Sequence, residues 1–204
     1  MRVLGLLIGI VFLGVFATTW VSSAESPTDR VRDVLEKAMD IQSKPELQGD
    51  SGRPQRAKLI RALIAENFLT VQMAQESLGD KWQGLAPGQR NEFTDLFIQL
   101  FQDSYTRMVL NFLRRETVEY LGEGKEGSRT KVRTKIMRVN EHIPVDYILV
   151  EKDNRWFMVD VIIDGVSIVR NYQNKFHQVI AAQSLDYLMN QMRIQCKAIE
   201  EGSS

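Results

Sequence analysis

Apolar positions recur at steps of three and four along most of the chain and at steps of two in one central stretch. Val31, Val34, Leu35 and Ala38 predict a first helix over residues 26–42, capped by Thr28 or Asp29. Pro45, Gly49, Gly52 and Pro54 then predict a loop over 44–54. Leu59, Ile60, Leu63 and Ile64 mark a second helix over 55–67, and a shorter one over 71–78 ends at Gly79. The strongest stripe follows Pro87. Phe93, Leu96, Phe97, Leu100, Phe101, Tyr105, Met108, Val109 and Phe112 share one face of a helix about 40 Å long. Such a face packs into a core, and a few of its members are also placed to line a cavity.

After Glu116 the period drops to two. A strand over 117–121 runs into a glycine-rich turn at Gly122, Gly124 and Gly127. Residues 129–137 alternate, with Lys131, Arg133 and Lys135 on one face and Thr130, Val132, Thr134 and Ile136 on the other. Strands over 143–151 and 155–163 are joined by Lys152-Asp153-Asn154 as a hairpin, and the second is apolar on both faces except at Asp160. Gly165 breaks this strand. Helical spacing returns with Phe176, Val179 and Ile180, then with Leu185, Leu188, Met189, Met192, Cys196 and Ile199 behind a Ser184 cap. Helices, consecutive antiparallel strands and helices again predict an α+β fold, an antiparallel sheet of about four strands covered by helices.

Residues 1–24 stand apart. Arg2 precedes an unbroken run of apolar residues and glycine from Val3 to Phe16, and Ser22-Ser23-Ala24 offers small residues before a cut. This is the grammar of a cleavable signal peptide, leaving residues 25–204 as a single exported domain. The alternative is an uncleaved anchor, since Val3 to Val21 is just long enough to span a bilayer.

Composition narrows the function. The 204 residues carry 26 basic and 26 acidic side chains, so no bulk positive charge draws the chain to nucleic acid, and the basic face at Lys131 and Arg133 is a solvated strand face. The single cysteine allows no internal disulfide, and its place on the last apolar stripe makes it a core residue. No nucleophile elbow, HExxH motif or calcium loop occurs. His142 and His177 have no catalytic setting. Asp160 and Asp164, beside a very apolar strand end, suit either acid–base work or the capping of turns. The residues thus favour binding over catalysis, with no cofactor and no metal, and a small periplasmic hydrolase or isomerase as the enzyme alternative.

Three segments together resemble one family. The run from Trp156 to Phe176, with its Asp164-Gly165-Val166-Ser167 turn, is similar to the hallmark of the MlaC family, the periplasmic phospholipid-binding or toluene-tolerance auxiliary proteins. Leu78-Gly79-Asp80-Lys81-Trp82 resembles that family's LGxxW, and Gln89-Arg90-Asn91-Glu92-Phe93 with Phe97 and Tyr105 resembles its QRxxF…F…Y helix. The resemblance implies a cone-shaped fold like the nuclear-transport-factor-two group with added helices, and a deep pocket for phospholipid acyl chains. It implies a monomeric shuttle between an outer-membrane lipoprotein complex and an inner-membrane ABC transporter with an MCE-type subunit, with a hopanoid or other apolar ligand as the alternative cargo. By matching motif positions, Phe97, Phe101, Tyr105, Val161, Ile163, Val166, Ile168, Tyr172 and Phe176 are expected near the lipid. Lys131, Arg133 and Arg170 are the candidates for headgroup or partner contact, and Trp82 and Trp156 are structural.

Overall fold

The computed structural model describes residues 25–202 apart from residue 115, so the leader expected over 1–24 lies outside the described residues. Among the described residues, six α-helices accompany one sheet. Helix α1 (Pro27–Ser43), α2 (Gly49–Asn67), α3 (Thr70–Leu78) and α4 (Pro87–Phe112) precede strands β1 (Thr117–Glu126), β2 (Arg129–Met137), β3 (His142–Lys152), β4 (Arg155–Ile163) and β5 (Val166–Ser167). Helices α5 (Ile168–Ala182) and α6 (Leu185–Gly202) follow. The sheet is an antiparallel meander in the order β1-β2-β3-β4-β5, one short strand more than the expected four. No helix among the described residues is long and apolar enough to cross a membrane.

Two expected boundaries move, for local reasons. The cap of α1 is Ser26, whose hydroxyl accepts from the Asp29 N–H at 3.0 Å, rather than Thr28 or Asp29. The loop expected over 44–54 is mostly helix, since α2 begins at Gly49 and carries Pro54 inside it. Arg56 holds that start by donating to the carbonyls of Leu47 and Gly49. Gly52 lets it fold back, because a Cβ there would overlap the Leu47 carbonyl.

The sheet's turns follow φ. Strand β1 runs straight through Gly122 and Gly124, so the expected glycine-rich turn shrinks to Gly127-Ser128. Gly122, at φ 108°, instead sits at a register shift after Tyr120. Asp153-Asn154 and Asp164-Gly165 have positive φ at both central residues, the backbone that two-residue hairpins of the right twist require. A second register shift, between Ile148 and Leu149, puts Met158 and Val161 on the same face of β4 although they are three residues apart. At that bulge the Met158 carbonyl accepts from the Leu69 N–H at 2.9 Å, which pins the α2–α3 junction to the edge of β4.

The motif residues Gly79, Trp82 and Gln89 are structural supports. Gly79, at φ 56°, lets α5 approach α3, since a Cβ would lie 2.6 Å from the Gln173 amide nitrogen. Trp82 sits edge-on to Phe93 and under the Arg90 guanidinium. The Gln89 side chain accepts from the Ala86 N–H at 3.0 Å and opens α4.

Candidate functional site

Between the sheet and helices α1, α2 and α4 lies a cavity of about 420 Å³. Helical spacing aims its walls: Val34, Leu35 and Ala38 from α1, Ile60, Leu63 and Ile64 from α2, and Tyr105, Met108, Val109 and Phe112 from α4. The sheet contributes Ile136, Ile143, Val145, Tyr147, Met158, Val161 and Ile163, which the registers place on one face. Phe68 closes the inner end, where its ring packs against Phe101 and Tyr105 at centroid distances of 5.5 and 6.2 Å. The exposed lining residues, Phe112 and Glu141, mark the open end.

Every described lining residue is apolar or tyrosine except Arg138 and Glu141. The Tyr105 hydroxyl is buried without a hydrogen-bond partner, and burial raises both its pKa and that of Tyr147 well above the ordinary phenol value, so both phenols stay neutral. The chamber can therefore hold hydrocarbon but cannot stabilise charge in its depth. At its mouth Arg138 closes the β2–β3 loop onto the end of α4. Its guanidinium donates to the Phe112 carbonyl and lies 5.7 Å from the Phe112 ring centroid, and its backbone N–H donates to the Glu141 carbonyl at 2.8 Å. Gln42 joins α1 to the same helix end by donating to the carbonyls of Val109 and Leu113 at 2.9 and 2.8 Å.

The residues nominated from the sequence divide. Tyr105, Val161 and Ile163 line the cavity. Phe97, Phe101, Tyr172 and Phe176 do not. They belong to a solid aromatic spine in which Phe93, Phe97, Phe101 and Tyr105 follow one another at centroid distances of 6.3, 6.0 and 4.3 Å. Tyr172 and Phe176 pack edge-on against Phe97 from α5. Only Tyr105, the last rung, reaches the chamber. Ile168 packs on the core but is absent from the cavity wall, and Val166 is 58% exposed because it follows the tight Asp164-Gly165 turn. Lys131 and Arg133 alternate out of register with Val132 and Ile136, so they leave the sheet on the face away from the cavity. Lys131 pairs with Glu126 there at 2.6 Å. Arg170 is an exposed residue of the first turn of α5. The charged mouth residues, Arg138 and Glu141, were not nominated. The signal was present: Arg138 continues the even-numbered alternation of Val132, Thr134 and Ile136.

The groups suspected of chemistry have structural work. The Asp160 carboxylate accepts from the Val161 N–H at 2.9 Å, the Val169 N–H at 3.1 Å and the Ser167 hydroxyl at 2.5 Å. Ser167 in turn accepts from the Arg170 N–H, so Asp160 fastens the start of α5 to β4. His177 Nε2 lies 2.8 Å from the Leu78 carbonyl and ties α5 to the end of α3. No group of three or more His, Cys, Asp or Glu side chains that could hold a metal ion occurs among the described residues.

No curated protein matches the chain. The solved structure of the phospholipid-binding protein from Ralstonia solanacearum, in complex with a phospholipid, aligns with a TM-score of 0.70 at 22% identity, covering 85% of this chain and 98% of that one. That likeness establishes the fold, with its open antiparallel sheet and covering helices. The model of the MlaC protein family matches residues 32–194, most of the chain, and with the fold and the apolar chamber in agreement the chain belongs to the MlaC family.

Proposed function

We propose that this protein binds a phospholipid, with its acyl portion in the cavity and its headgroup at the Arg138 mouth, and that it carries the lipid rather than transforms it. The observation that supports this is a chamber of about 420 Å³ whose only charged lining residues, among those described, sit at its open end. Burial of hydrocarbon contributes roughly 0.8 kcal/mol per CH₂, so acyl chains bind such walls without any polar anchor in the depth. The same strength makes release the slow problem, and delivery needs a partner that favours an opened state. On the signal-peptide reading of Arg2, the apolar run from Val3 to Phe16 and Ser22-Ser23-Ala24, residues 1–24 export the chain. Following what the family resemblance implies, residues 25–204 then act as one domain in the periplasm, between an outer-membrane lipoprotein complex and an MCE-type ABC transporter.

Protein purified without detergent should yield about one phospholipid per chain on solvent extraction and mass spectrometry. Protein that carries none, and takes none from labelled vesicles, overturns the reading.

A further inference from the structure

The cavity mouth holds charges of both signs. Arg138 and Glu141 both line it, and the side chains differ in how they are held. Arg138 is largely covered, while Glu141 is 62% exposed. The Arg138 guanidinium stands 3.7 Å from the Glu116 carboxylate through Nε and 3.6 Å from the Glu141 carboxylate through Nη1, both longer than a hydrogen bond. Nε is buried and has no hydrogen-bond partner. Nη2 is thus anchored on the Phe112 carbonyl and Nε is buried against Glu116, which leaves Nη1, beside Glu141, with N–H groups to donate at the mouth.

From this arrangement we infer that the mouth selects a zwitterionic phospholipid headgroup, with the phosphate on Arg138 and the ammonium on Glu141. The inference rests on the phospholipid-carrier reading. A phosphate diester supplies an acceptor for the Nη1 N–H groups, in a charge-assisted hydrogen bond. The phosphate would bring a negative charge beside Glu116 and Glu141. A headgroup with its own cation cancels that repulsion by pairing with the exposed Glu141, whereas a headgroup that ends in hydroxyls does not. The two carboxylates beside one guanidinium therefore disfavour an anionic lipid and favour an amine-bearing one.

The test exposes the protein to vesicles of equimolar phosphatidylethanolamine, phosphatidylglycerol and diacylglycerol, then identifies the extracted lipid. Wild-type protein should take phosphatidylethanolamine over phosphatidylglycerol by about three- to fivefold, the scale of an ion pair partly open to water. E141Q, at an exposed site, should bring that ratio close to one. R138Q should lose the preference for both phospholipids over diacylglycerol. R138K, which keeps the charge but not the fork, should fold normally and retain part of that preference. Circular dichroism checks the fold of each variant. Equal uptake of the two phospholipids by wild type, or an unchanged ratio in E141Q, overturns the inference while leaving the carrier reading intact. Uptake of no lipid at all by wild type overturns the carrier reading itself.

Discussion

Replacing Val161 by Trp separates a lipid chamber from an ordinary core. Val161 is 3% exposed, lies opposite Tyr147 in the sheet register, and faces the empty volume. An engineered cavity of roughly 150 Å³ holds benzene. An indole therefore consumes about a third of the 420 Å³ available here. It should displace on the order of four methylenes of bound chain, which at about 0.8 kcal/mol each is roughly 3 kcal/mol, or about a hundredfold in affinity. Stability should move the other way from an overpacked core. Because the ring enters empty space, the lipid-free variant should lose less than about 1 kcal/mol. Val132→Trp is the control, since Val132 shares that sheet face, is fully buried and does not line the cavity. It should cost about 1–3 kcal/mol, a fall of about 3–10 °C in Tm. The assay pairs thermal melts of delipidated protein with labelled-lipid uptake; delipidation matters because bound lipid raises Tm by mass action. If Val161→Trp melts as low as Val132→Trp while taking up lipid normally, the void is not the lipid site.

Three further outcomes follow from the buried polar groups. Asp160→Asn replaces one acceptor oxygen by an NH₂ group, which cannot accept from the N–H and hydroxyl donors converging there, and should cost about 1–3 kcal/mol in a urea melt; an unchanged midpoint refutes the strapping role. Tyr105, Tyr147 and Tyr172 have phenol pKa values raised chiefly by burial, so the unfolded chain loses these protons first. Their contribution is intact below about pH 10 and is lost as pH climbs toward the folded values, at up to about 1.4 kcal/mol per pH unit for each group. Tyr147→Phe should flatten the alkaline fall in urea titrations between about pH 9 and 11, and an identical slope counts against it. The Cys196 thiol, buried between α6 and α4 with Sγ 3.7 Å from the Leu96 carbonyl, has a pKa raised by burial. It should react with a thiol reagent at least about a hundredfold more slowly than in unfolded chain, and comparable rates would place it at the surface.

Periodicity carried the elements but not the void. The alternation of 129–137 matches β2 residue for residue, and the stripe behind Pro87 is α4. Breakers misled where tertiary contacts outweighed them: α2 passes through Pro54 because Arg56 and Gly52 secure its start on Leu47, and β1 passes Gly122 by a bulge. The site was legible only in part. An apolar stripe shows which residues turn inward, yet it carries no sign of whether the interior they meet is filled. Phe97 and Phe101 meet other rings, whereas Met108 and Val109, two turns further along the same stripe, meet space. The expected lipid contacts follow the family's motif positions, and the motif aromatics Phe97, Phe101, Tyr172 and Phe176 pack on one another as the spine, so only Tyr105, Val161 and Ile163 of those positions reach the chamber. Arg138 escaped for a different reason. The expected strand covers 129–137, so Arg138 falls one residue beyond it, where the loop begins.

The chamber's size constrains how it can work. By the relation found for engineered cavities, about 24 cal/mol per Å³, a dry void of about 420 Å³ would cost on the order of 10 kcal/mol. That rivals the entire stability of an ordinary domain, about 5–15 kcal/mol. Such a space stays open only if something fills it and if its walls are held independently. The walls are so held: the aromatic spine braces α4, the Leu69–Met158 bond fixes the α2–α3 junction to β4, and Gln42 and Arg138 fasten the mouth. On the carrier reading, the lipid completes the core, and removing it exposes the walls to water as well as the chains. A partner lowers that barrier most effectively where the fastening is lightest. The spine is fully buried, while the mouth rests on two side chains against α4's last turn, beside the exposed Phe112. On the carrier reading, loosening Arg138 from the Phe112 carbonyl would open that end without disturbing the spine.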